Sequence, residues 1–102
     1  MYKIKFSKDY EEDVMSSLNY VKHVLQNPTA AKKLRDEIKK TNKRLKKNPF
    51  SYSAVSDEYL ASKSYRFAIV KNYIIFYIVQ EKQIDVIRFL YGYRDWMNIL
   101  KK

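Results

Sequence analysis

Residues 65–96 read YRFAIVKNYIIFYIVQEKQIDVIRFLYGYRDW, and the fold turns on them. Three apolar runs, rich in β-branched and aromatic residues, are separated by two short polar breaks. Tyr65–Val70 sets Tyr65, Phe67 and Ile69 against Arg66 and Ala68, the period-two pattern of a strand. Tyr73–Val79 is apolar at both parities, which predicts a central strand covered on both faces. Ile84–Tyr91 alternates again, with Ile84, Val86, Arg88 and Leu90 on one face and Asp85, Ile87, Phe89 and Tyr91 on the other. Lys71-Asn72 suits a tight hairpin in which Asn takes the positive φ, and Gln80–Gln83 suits a looser second turn. The expectation is an antiparallel three-stranded meander.

Upstream, Tyr2, Ile4 and Phe6 alternate with Lys3 and Lys5, a short edge strand whose lysines discourage edge-to-edge pairing. Ser7 is placed to cap a helix, with Asp9, Glu11 and Glu12 in its first turn. Tyr10, Val14, Leu18, Val21 and Leu25 form its apolar stripe. Asn27-Pro28 caps and opens a second helix with the stripe Ala31, Leu34, Ile38 and Leu45, and Asn48-Pro49 stops it. So short a link folds the two helices into an αα-hairpin. Residues 50–64 read as an irregular crossover pinned by Tyr52, Val55, Tyr59 and Leu60. Gly92 breaks the last strand, and Arg94–Leu100 has room for one or two helical turns docked by Trp96. The predicted fold is α+β, one domain over residues 1–102 in the order β-α-α-β-β-β. Its helical hairpin packs on a small antiparallel sheet, followed by a short C-terminal helix.

Composition narrows the function classes. The chain has no cysteine and a single histidine, His23, which excludes a disulfide scaffold, thiolate catalysis and a multi-histidine or cysteine metal site. No run approaches the roughly 18 apolar residues of a membrane span, and the N-terminus lacks a signal-peptide core, so a cytoplasmic protein is expected. A formal charge of +10 favours a polyanionic partner. The second helix concentrates that charge, with nine basic and two acidic residues from Lys32 to Lys47, where like charges four apart repel. Lys43, Arg44, Lys46 and Lys47 there, with Lys63, Lys71 and Arg88, are candidate phosphate contacts. Tyr93 is a candidate for stacking on bases. Arg66 and Arg88 interrupt apolar strands and need an acceptor (Asp57, Glu58, Asp85 or Asp95) or an open phosphate-binding face. Neither paired carboxylates, nor a glycine loop for phosphate, nor a Ser/His/Asp set is present.

Three segments, NPTAAKKL, YRFAIVKNYIIFYIV and IDVIRFLYGYRDWMNIL, resemble the RelE/ParE superfamily of type II toxin–antitoxin toxins over nearly the whole chain. The resemblance implies a small growth-arresting toxin held inactive by an acidic or amphipathic antitoxin, with no cofactor and no metal. RelE-like members cleave mRNA in the ribosomal A site; ParE-like members poison DNA gyrase. The leading expectation is ribosome-dependent, metal-independent mRNA cleavage, with gyrase poisoning as the alternative. In the first mechanism cations stabilise the reacting phosphate and the attacking group is the RNA's own 2′-hydroxyl. Arg66 then matches the strand arginine and Arg94 the arginine after the last strand, while Tyr91 stands where many relatives carry a histidine. Leu100 occupies the position of an aromatic acid–base residue in RelE-like relatives, a departure from their pattern. A basic domain that binds nucleic acid without chemistry is the third reading; it predicts steeply salt-dependent binding to unrelated duplexes.

Overall fold

The computed structural model describes residues 2–92 and 94–101. Tyr93, one of the expected nucleic-acid contacts, lies outside them. The chain runs through β1 (Lys3–Phe6), α1 (Lys8–Asn19), a π-helical turn (Tyr20–Val24) and α2 (Pro28–Lys47). A 3₁₀ turn (Pro49–Ser51) and α3 (Glu58–Ser62) follow, then β2 (Tyr65–Val70), β3 (Tyr73–Gln80), β4 (Gln83–Tyr91) and α4 (Trp96–Lys101).

The meander forms as expected, and β1 joins it by pairing parallel to β4, so the sheet is mixed with the order β1-β4-β3-β2. Ser7 ends β1 and starts α1. Its N–H donates to Val86 O (2.9 Å), its hydroxyl donates to Ile87 O (2.6 Å), and the same oxygen accepts from Tyr10 N (3.0 Å). Asn27 accepts from Ala30 N ahead of Pro28, as the sequence pattern implies.

Both faces of β3 are covered. On the helix side, Tyr10, Leu34, Ile38 and Leu45 pack on Ala68, Val70, Ile75, Tyr77, Ile84, Val86 and Phe89. On the other side, Val55, Leu60 and Leu100 cover Phe76 and Leu90, with Trp96 5.2 Å from the Phe76 ring. Tyr77 and Phe76 are 0% and 1% exposed, so each side chain contributes about 2–3 kcal/mol of apolar burial.

Five local expectations are corrected. Phe76 faces Arg88 and Tyr77 faces Val86, so Ile87 is the extra residue of a β-bulge. The bulge reverses parity within β4: Phe89, not Leu90, shares the helix side with Ile84 and Val86. In the first hairpin the positive φ belongs to Lys71 (56°), not Asn72. The second turn is equally tight, since Gln80 pairs with Gln83 around Glu81 at φ 54°. Leu25 is 56% exposed, because the wider π turn rotates the chain off the α1 stripe. The fifth lies in the crossover, which is partly helical: α3 is capped by Asp57 Oδ2 accepting from Leu60 N.

Candidate functional site

The end of α1, the π turn, the start of α2 and the tips of the strands enclose a cleft of about 800 Å³. The π turn shapes its mouth. Leu25 N donates to Tyr20 O across five residues, and Gln26 turns the chain at φ 51° into Asn27. This leaves Tyr20 half exposed at the rim. From the opposite side come Lys71 and Asn72 of the first hairpin, then Tyr73, Phe89, Tyr91 and Arg94. Gly92 allows this convergence. Its N–H donates to Asn72 O (2.8 Å), and a β-carbon there would sit 3.3 Å from that oxygen.

Aromatic rings organise the floor. Tyr73 stacks on Phe89 at 4.8 Å and meets Tyr91 edge-on at 5.5 Å. Burial holds the Tyr73 hydroxyl above its ordinary value, against a hydrogen bond with Ser17 that lowers it, so it stays protonated at neutral pH. Lys33, Lys71 and Arg94 bring positive charge to the lining.

The one carboxylate among the described lining residues is Asp13, and both of its oxygens are engaged. Arg88 donates from Nε (2.7 Å) and Nη2 (2.9 Å), and Phe89 N donates to Oδ2 (3.0 Å). Asp13 is thus the acceptor that Arg88 needed, rather than Asp57, Glu58, Asp85 or Asp95. The ion pair holds the Arg88 guanidinium above its ordinary value. With Asp13 so committed, no free carboxylate faces the cleft among the described residues. Those residues also include no cluster of three His, Cys, Asp or Glu side chains that a metal ion would need.

Of the residues singled out in the sequence, Tyr91, Arg94 and Lys71 come together in this cleft. Arg66 does not. It pairs across the sheet with Tyr77, whereas Tyr91 pairs with Tyr73. Four residues of β3 separate the two rows, about 13 Å along the strand. The Arg66 guanidinium instead lies 5.0 Å over the Phe50 ring. Lys63 sits beside Tyr59 at the end of α3, and Lys43, Arg44, Lys46 and Lys47 are exposed on α2. Leu100 is 7% exposed and packed in the second cluster. Tyr20 and Lys33 were not anticipated at the site. Only the π turn brings Tyr20 to the rim, and nothing in the local pattern marks that turn.

A sequence profile described as the ParE toxin of the type II toxin–antitoxin system, parDE, matches residues 4–96. The chain belongs to this ParE toxin family. It is therefore the toxin of a type II toxin–antitoxin module, and such a module implies a cognate antitoxin. The ParE-family fold is also seen in a solved structure of the chromosomal ParDE TA system from P. aeruginosa. That chain is 18% identical, with 89% of this chain and 96% of that one covered and a TM-score of 0.72. A copper-bound mutant toxin from Helicobacter pylori is 17% identical over 89% and 94% of the two chains, with a TM-score of 0.59. YafQ from E. coli strain BL21(DE3) is 16% identical over 89% and 93%, with a TM-score of 0.57. At these identities the likeness is one of fold, shared by ParE and YafQ chains alike. No curated protein matches the sequence.

Proposed function

We propose that this ParE-family toxin arrests growth in the bacterial cytoplasm by holding DNA gyrase, under the control of its antitoxin, and does not cleave mRNA. The observation that carries the reading is the place of Leu100. Where RelE-like relatives carry an aromatic acid–base residue, this chain has an aliphatic side chain on α4, buried against Phe76 and Leu90 of the sheet. It can neither accept nor deliver a proton. The separation of the Arg66 and Tyr91 rows, about 13 Å, points the same way. The Arg66 guanidinium lies over the Phe50 ring, outside the lining that Arg94 and Tyr91 share, an arrangement that supports a reading without convergence of the three on one transition state. Inhibition by binding needs no such convergence.

Purified toxin added to gyrase, supercoiled plasmid and ATP is the test, with primer extension on mRNA from a reconstituted translation reaction in parallel. The expected result is loss of supercoiling or accumulation of cleaved-DNA complexes, with intact mRNA. Ribosome-dependent cuts in the mRNA and untouched gyrase would overturn the reading.

A further inference from the structure

We propose that the outward face of α2 is a ridge that binds the phosphate backbone of a nucleic-acid duplex without reading its sequence. This inference stands apart from the gyrase reading and uses none of the cleft residues in its test. The buried residues of α2 are Ala31, Leu34, Ile38, Thr41 and Leu45. At 100° per residue they form one stripe, and the nine cations between Lys32 and Lys47 occupy an arc of about 180° centred opposite it. Every exposed residue in that interval is charged, and Asp36 is the only exposed acid among them. Among the described residues, a single ion pair touches this set, Lys40 with Glu37 at 3.7 Å. The ridge is about 22 Å long. Phosphates of one strand recur every ~3.4 Å along a duplex, so it spans about six of them.

The composition of the ridge selects among polyanions. Seven of the nine cations are lysines. Protein–protein contacts instead favour arginine and aromatic anchors and are depleted in lysine, so an acidic protein is a poor fit. Single-stranded nucleic acid is held by aromatic platforms as well as charge, and no aromatic residue lies between Lys32 and Lys47. Membrane-surface helices insert an apolar face, and here that face is spent on the core. A regular double row of phosphates asks for what the ridge has: nine flexible cationic donors along one helix face, with Asp36 the one exposed acid among them.

The test is fluorescence anisotropy of the purified full chain with a labelled DNA duplex of arbitrary sequence, its RNA counterpart and the corresponding single strand, over a range of salt. Lys39, Lys43 and Lys47 are replaced together by Gln. A control of equal charge change replaces Lys3, Lys5 and Lys8. The expected result is duplex binding with a steep salt slope that the α2 variant flattens by about 2.7 and the control does not. Circular dichroism melting verifies that both variants fold. Preference for the DNA or the RNA duplex names the natural partner, and either upholds the ridge. Equal flattening by the control, single-strand binding as tight as duplex binding, or no duplex binding by the parent chain would each overturn it.

Discussion

Asp13 closes several accounts at once, since it neutralises Arg88 and satisfies the Phe89 N–H just past the bulge. With side chains 13% and 22% exposed, Asp13 and Arg88 are poorly solvated, and removing one partner strands the other. Asp13→Ala should therefore destabilise the protein by about 3 kcal/mol. For a domain of this size that lowers Tm by roughly 12–24 °C, measurable by calorimetry. Tyr77 makes a different prediction. Its hydroxyl donates to Pro49 O at 2.6 Å, and burial pushes its pKa from 10.0 to about 12, although nearby Arg66 acts the other way. The unfolded chain releases this proton first, so stability is intact below pH 10 and falls as pH rises from 10 towards 12. Tyr77→Phe should cost about 1 kcal/mol at neutral pH and make the alkaline loss shallower in chemical-denaturant titrations.

Short elements carry much of the architecture. Without α3 and α4 one face of the sheet would be bare, leaving Phe76 and Leu90 in water. Leu100→Ala should cost about 2–4 kcal/mol, read from the denaturant midpoint, because the cavity opens in a layer only one short helix deep. Ser7 matters for the opposite edge. It caps α1 and also ties that helix to the carbonyl of Ile87, the extra residue of the bulge. Ser7→Ala should cost about 1–2 kcal/mol, and native-state hydrogen exchange should show Tyr10 N among the amides that lose protection.

For the whole molecule, the net charge of +10 is the dominant long-range fact, and it works against the compact state. Shortening the Debye length from about 30 Å to about 8 Å with sodium chloride should raise Tm, the reverse of what surface ion pairs alone would give.

The strands, the α1 stripe as far as Val21, the α2 stripe, the Ser7 and Asn27 caps and the membership of the RelE/ParE superfamily were all legible in the linear chain. Period two, period 3.6 and capping are local properties of neighbouring residues. The bulge at Ile87, the π turn at Tyr20–Val24 and the pairing of Arg88 with Asp13 were not, since each is settled by groups distant in sequence. So it is with the candidate site. The resemblance grouped Arg66, Arg94 and Tyr91 around one phosphate, but strand register places Arg66 towards the far end of the sheet, away from the cleft that Tyr91 and Arg94 line. Residue type is written in the sequence; which side chains share a cleft depends on how strands register and helices dock, and packing alone decides that.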